Sequence, residues 1–249
     1  MNPIWVVGMG PGSEAQMTLQ AREVLADCDV IVGYTVYVEL LKKLLPDKEY
    51  RTTPMRQEVE RCRMAFEEAK NGSKVAMVCS GDAGVYGMAG LMLELTEEYP
   101  DCLLEIVPGV TAALAGGALL GAPLGHDFAV ISLSDLLTPW EMIEKRLRLA
   151  ALADLSLCIY NPSSKKRADY LQRACDILLE VIEEERVCGL AVLIGREGEH
   201  GEILTLRELR ERQVDMFTTV FIGNSTTRVI DGRMVTPRGY EQRLGPDLR

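Results

Sequence analysis

Basic residues are the minority in this chain: 27 Lys and Arg stand against 37 Asp and Glu, a formal net charge of −10. That balance argues against a nucleic-acid binder, which needs a broad basic face to neutralise phosphates. A polyanionic substrate must instead meet a local patch of arginines. Histidine is scarcer still, with only His126 and His200 among 249 residues. The seven cysteines are odd in number and scattered, and none forms a C-x-x-C pair. Most lie in apolar strand-like or helix-like positions, where a free thiol behaves as a small hydrophobe. A structural metal site is therefore not expected, and a reducing cytoplasm is. Apolar runs long enough to cross a bilayer are missing, as is a basic stretch ahead of an apolar one at the start, so neither a membrane span nor a leader is expected. Internal repeats, low-complexity tracts and an evident catalytic triad are also lacking.

What the chain does have is turns rich in glycine, each placed after an apolar run. They read Gly8-Met9-Gly10-Pro11-Gly12, Ser80-Gly81-Asp82-Ala83-Gly84-Val85-Tyr86, Val107-Pro108-Gly109-Val110-Thr111 and Ile194-Gly195-Arg196-Glu197-Gly198. Bare backbone at such turns lets a small ligand come close. Strand signals at 4–7, 30–32, 75–79 and 103–107 alternate with helical spacing in the first half, with helices around 21–28, 36–45, 59–69 and 91–95. This βαβα rhythm predicts a mostly parallel sheet covered on both faces. Around 116–125 the composition shifts to small residues, and the boundary between two α/β domains is placed there, giving 1–120 and 121–249. The second half reads as mixed: strands at 128–133, 155–160, 190–194 and 219–222, and an Asp231-Gly232 hairpin. Thr138-Pro139-Trp140-Glu141 reads as a capping box with proline in the first turn, and a long helix is predicted from about Ser164 to Glu183.

The first turn is a poor dinucleotide fingerprint. Ser13 stands where the third glycine belongs, Pro11 removes a backbone donor, and the second strand ends in Gly33 with no acidic residue to hold a ribose. The Ser80 turn is more telling, since Asp82 could accept from ribose hydroxyls, attract a cationic ligand, or cap the helix that follows. Two such turns on successive strands would make one floor.

Taken together, the first three turns resemble those of the tetrapyrrole methyltransferase family of cobalamin and sirohaem synthesis. Gly33-Tyr34-Thr35-Val36-Tyr37, Gly125 to Asp135, Ile159 to Ser164, Ile194 to Gly198, Ile222 to Ser225 and Thr236 to Tyr240 are similar to its branch that methylates a precorrin at C-17. The resemblance runs from about residue 3 to 240 and implies two α/β domains with S-adenosylmethionine in the cleft between them, commonly as a homodimer. It implies that Gly10, Pro11, Ser80, Gly81, Asp82, Val85, Tyr86, Thr111 and Ala112 line the cofactor, joined by Asn161, Gly195 and Thr218. The implied substrate is a tetrapyrrole rich in carboxylates, for which Ser132, Ser134, Arg196 and Arg238 are the expected contacts. Arg56, Arg61, Arg63 and Arg228 are further candidates, with solvated helix arginines the favoured reading for Arg61 and Arg63. Ring contraction needs proton movement, and His126 and Asp135 are the candidates for it; His126 could equally bridge the linker, and His200 is expected to be exposed. A methyltransferase acting at another ring carbon, a tetrapyrrole carrier, and an NAD-linked oxidoreductase remain as rivals. Nothing in these residues tells a cobalt-loaded ring from a metal-free one.

Overall fold

The computed structural model describes residues 3–164 and 166–240. These fall into two compact units, one running through Ala112 and the other starting at Ala113.

The first unit is a five-stranded sheet, every neighbouring pair of which is parallel. Its strands are β1 (Ile4–Gly8), β2 (Val30–Tyr34), β3 (Glu49–Thr53), β4 (Val75–Cys79) and β5 (Leu104–Val107), in the order β3-β2-β4-β1-β5. Helices α1 (Leu19–Asp27), α2 (Thr35–Leu44), α3 (Glu58–Lys70) and α4 (Ala89–Leu95) alternate with them. Period-two alternation divides the strands' side chains between two cores. Ile4, Val6, Val30, Val32, Val75 and Met77 pack with Phe66 and Cys62 of α3 on one face. Val7, Ile31, Ala76 and Val78 pack with Leu25, Val38 and Leu41 on the other. A sheet buried on both faces reads as continuous apolar runs, which is why these strands were legible. The exception is β3, which sequence reading missed. Its residues, Glu-Tyr-Arg-Thr-Thr, form a mostly polar edge strand with little apolar signal.

Helix α5 (Ala112–Leu120) belongs to the second unit from Ala113 on, and β6 (Gly121–Ala122) follows it. There follow β7 (Phe128–Ser132), α6 (Trp140–Leu152), β8 (Ser156–Tyr160), α7 (Tyr170–Leu179) and β9 (Val187–Val192). Then come β10 (His200–Thr205), α8 (Leu206–Arg210), β11 (Thr218–Ile222), β12 (Arg228–Ile230) and β13 (Arg233–Val235). The main sheet runs β10-β9-β11-β8-β7 and is mixed: β7 and β8 are parallel, while β11 is antiparallel to both β8 and β9. Helices α6, α7 and α8 cover one face through Leu147, Leu171, Leu178 and Leu209. Helix α5 meets the other face closely, since a Cβ on Gly116 would lie 2.9 Å from Ala191 Cβ and 3.1 Å from the Phe221 ring. The Ala113 N–H also donates to the Tyr160 hydroxyl at 2.6 Å. Those contacts place α5 with the second unit, so the division falls some residues earlier than the composition shift implied. The hairpin is present, with Asp231 and Gly232 both at positive φ (50° and 69°) as a tight turn between twisted strands demands.

Three local expectations need correction. Helix α6 starts at Trp140 with Pro139 at its N-cap and no side-chain cap bond, so the predicted capping box does not form. A complete one forms unforeseen at α8, between Thr205 and Glu208. Helix α7 is shorter than predicted, starting at Tyr170 and ending at Leu179. Ahead of it, Ser164 and Arg167 exchange backbone hydrogen bonds at 2.9 and 3.4 Å and hold a loop. Strand β10 and helix α8 were hidden in what reads as a charged loop; His200 opens β10 and is exposed as expected.

Candidate functional site

Strands β4, β1 and β5 are neighbours in the first sheet, so the turns at their carboxyl ends meet. Open parallel sheets bind ligands at that edge. Gly10 N–H donates to Gly81 O at 3.0 Å and Gly81 N–H to Gly10 O at 2.8 Å, an isolated bridge that ties the first turn to the second. Gly109 presses on both. A Cβ there would lie 2.1 Å from the Gly81 carbonyl oxygen and 2.6 Å from the Gly8 carbonyl. The glycines are thus required by backbone-on-backbone packing, and the three turns form one floor.

Asp82 clamps that floor. Its Oδ1 accepts the N–H groups of Gly84 and Val85 at 2.8 and 3.1 Å, and its Oδ2 accepts that of Gly109 at 2.9 Å. The helix-cap reading fails, because the next helix, α4, starts only at Ala89. Three of the roughly four acceptor positions of a carboxylate are occupied, so Asp82 serves first as a staple between turns. Around it, Pro11, Gly81 and Ala83 are buried, Val85, Thr111 and Ala112 are half-buried, and Tyr86 projects outward at φ 54°. Ser80 follows β4 beside them. The surface offers bare backbone, small apolar groups and an aromatic ring. With Pro11 lacking an N–H, the floor is not a phosphate cradle.

In the second unit the carboxyl ends of β7, β8 and β9 share one edge with the start of β11, where Thr218 pairs with Val192. Ser132, Asn161, Gly195 and Thr218 all lie there. Asn161, at φ 52°, donates from Nδ2 to Ser132 Oγ at 2.9 Å. Gly195 donates its N–H to Glu199, and the buried Thr218 hydroxyl donates to Asp215 at 3.2 Å. Arg196 stacks over Phe217 with 4.9 Å to the ring centroid.

Beside them sits a cluster the sequence reading did not collect. Arg167 donates to Ser134 Oγ at 3.1 Å and faces Asp135 at 3.4 Å. Tyr170 donates its hydroxyl to Asp135 Oδ2 at 2.6 Å. Arg173 lies 4.0 Å over the Trp140 ring. The Asp135 carboxylate, helped by burial, holds the Tyr170 hydroxyl above its usual pKa. Tyr170 and Arg173 stand three residues apart on α7, a spacing that puts them on one face, and Arg167 joins them from the loop ahead of the helix.

The two candidates for proton transfer, His126 and Asp135, are not brought together. His126 precedes β7, whose last residue is Ser132, and Ser134 and Asp135 follow it, which puts the five-residue strand, about 17 Å, between them. His126 is half exposed, and its Nδ1 accepts the Asp127 N–H at 2.9 Å. It lines a pocket of about 310 Å³ at the opposite edge with Asp154, Asn224 and Arg238, so Arg238 is also separated from Ser132, Ser134 and Arg196. Arg56 is exposed at φ 72°, Arg228 is exposed, and Arg63 pairs with Glu98 at the surface. Arg61 is the surprise: it is buried.

The profile of the Tetrapyrrole (Corrin/Porphyrin) Methylases matches residues 3–210. The chain belongs to that family. A probable cobalt-factor III C(17)-methyltransferase of Salmonella typhimurium is 48% identical over 236 residues, which is 94% of this chain and 98% of that one. A precorrin-3B C(17)-methyltransferase of a Sinorhizobium species is 41% identical, covering 95% of this chain and 96% of that one. The crystal structure of the methyltransferase CobJ superposes with a TM-score of 0.88 at 38% identity, covering 95% of this chain and all of that one. In this tetrapyrrole methylase all seven cysteines are free and buried. Burial pushes the Cys79 thiol, nearest the floor, up to about 11, so it stays protonated and unreactive near neutral pH. Among the described residues no helix is long and apolar enough to cross a membrane.

Proposed function

We propose that this enzyme transfers a methyl group from S-adenosylmethionine to C-17 of a precorrin-3-level tetrapyrrole, with contraction of the ring, in corrin biosynthesis. The observation that carries the reading is the near-full-length identity, 48%, to a protein named as a C(17)-methyltransferase. The interlocked floor supports it. Pro11, Gly81, Asp82, Val85, Tyr86, Thr111 and Ala112 would hold the cofactor there, with backbone and small side chains rather than a charged cradle. S-adenosylmethionine supplies an already activated methyl on a sulfonium. The residues' task is then alignment, which can be worth about 7–11 kcal/mol in favourable cases; this agrees with the lack of an evident nucleophile.

Contraction moves a proton, and the Asp135–Tyr170 hydrogen bond holds one at the carboxyl edge of the second sheet, beside Ser132 and Ser134. Arg196 at the same edge offers a guanidinium to a carboxylate arm. The higher identity to the cobalt-factor III relative, 48% against 41%, makes the cobalt-loaded ring the first substrate to try. The family resemblance supports a homodimer, and seven free buried thiols fit a reducing cytoplasm.

The test is a paired anaerobic turnover. Purified enzyme and S-adenosylmethionine are mixed with either the cobalt-loaded or the metal-free ring, and products are read by mass and absorption. Gain of one methyl, mapped to C-17, on one substrate supports the reading and names the route. No gain on either ring, or a methyl mapped to another carbon, overturns it.

A further inference from the structure

A second cavity of about 160 Å³ opens in the first unit at the carboxyl ends of β2 and β4. Tyr34, Tyr37, Glu58, Arg61, Tyr86 and Met88 line it. Arg61 lies on the inward stripe of α3, next to Cys62, Ala65 and Phe66, and is only 4% exposed. Its Nε donates to Thr53 Oγ1 at 3.0 Å and an Nη2 proton goes to the Pro54 carbonyl at 3.0 Å. Nη1 meets only the Met88 sulfur, at 4.0 Å, and the guanidinium lies 5.7 Å from the Tyr34 ring centroid. Among the described residues no carboxylate pairs with it. The contrast is Arg186, which is as deeply buried but sits between Glu183 and Asp154 at 2.6 and 3.6 Å. A guanidinium buried without a counter-ion is costly, and its fork is only partly satisfied by neutral acceptors. A ligand that brings its own negative charge removes that cost.

Size and charge narrow the ligand. At 160 Å³ the cavity is well below the ~300 Å³ at which sites for whole drug-sized ligands begin, so it takes a side arm and not a macrocycle. The planar fork of arginine matches a carboxylate. Glu58 on the same wall favours a single negative charge over a phosphate dianion. Tyr34 and Tyr37, edge to face at 5.2 Å, offer an apolar wall for methylenes. We propose that this pocket receives one aliphatic carboxylate arm of the tetrapyrrole, gripped by Arg61. The proposal rests on the tetrapyrrole methylase reading. S-adenosylmethionine also ends in a carboxylate, and its expected contacts Ser80 and Tyr86 line this pocket too. But Pro11, Thr111 and Ala112 follow β1 and β5, whereas Arg61 stands on the β2 side of β4, and the S-adenosylhomocysteine titration below separates the two.

The test uses the full chain as wild type, Arg61→Met and Arg61→Lys. Each is titrated with S-adenosylhomocysteine by calorimetry and with metal-free uroporphyrin by fluorescence, and unfolding midpoints are recorded alongside. Arg61→Met should weaken uroporphyrin binding about 10- to 100-fold, the loss of one charge-assisted contact. Arg61→Lys should lose less, and S-adenosylhomocysteine binding should stay unchanged. With the true substrate, KM should rise while kcat holds. A loss that falls on S-adenosylhomocysteine instead overturns the proposal and assigns the pocket to the cofactor. Unchanged uroporphyrin affinity makes Arg61 a structural cation only. If Arg61→Met does not fold, Arg61→Lys decides between the same outcomes. A wild type that binds neither ligand overturns the methylase reading itself, before any variant is compared.

Discussion

Replacing Gly109 by alanine tests whether the three turns form one rigid floor. The added Cβ would stand 2.1 Å from the Gly81 carbonyl oxygen and 2.6 Å from both atoms of the Gly8 carbonyl. Overpacking ordinarily costs about 1–3 kcal/mol because side chains can shift; here every clashing atom is backbone, which places the cost at the upper end. Relief must move the Gly109 N–H away from Asp82 Oδ2, now 2.9 Å distant, and weaken a charge-assisted bond worth about 1.5–3 kcal/mol. Alanine's smaller unfolded-state entropy returns about 0.4–1 kcal/mol. The net expectation is a loss of about 3–4 kcal/mol. Trp5 lies on β1 and donates to Glu105 on β5 at 3.1 Å, so its fluorescence reports this sheet. In a Trp140→Phe background, urea unfolding followed at Trp5 should show the midpoint falling by about 1–2 M, for a slope of about 2–3 kcal/mol per M. Gly90→Ala is the control. Nothing lies within 4 Å of its added Cβ, and the site is helical, so it should gain about 0.5–1 kcal/mol. A Gly109→Ala midpoint equal to its parent would refute the packing argument.

Three further outcomes are expected. Asp82→Asn turns an amide donor toward a backbone donor at Gly84, Val85 or Gly109, so it should cost about 1.5–3 kcal/mol in the same Trp5 assay and weaken S-adenosylhomocysteine binding; an unchanged midpoint would show the clamp to be dispensable. Tyr170 titrates above the ordinary tyrosine value of 10.0 because it donates to Asp135. A pKa raised by folding gives stability that is present below the unfolded value and is lost as pH rises through the folded one. Asp135→Asn should therefore lower the Tyr170 pKa in an ultraviolet titration and remove that alkaline decline, and a tyrosine titration curve identical to wild type would count against the hydrogen bond. His126→Ala should leave methyl transfer and contraction unchanged, because a whole strand separates it from Ser132 and Asp135; a specific loss of contraction would return His126 to the mechanism.

The sequence by itself determined the class of fold and the place of the floor. Runs such as Val75 to Cys79 can be continuous and apolar only in a sheet covered on both faces, and a glycine-rich turn after such a run marks its carboxyl end. The Asp231-Gly232 hairpin was equally local, since two positive φ angles demand those residues. Polar edge elements escaped for the converse reason: β3 and β10 pair on one side only, so their burial pattern is weak. Tertiary structure alone decided which chemistry meets which. It set Tyr170 and Arg167 against Asp135 while a strand's length parts His126 from them, a distance that no neighbouring residue encodes. It also buried Arg61, whose place on the inward stripe of α3 with Cys62 and Phe66 was readable, but whose missing counter-ion was not. Periodicity reports which side of an element faces inward; strand order and register determine what it meets there.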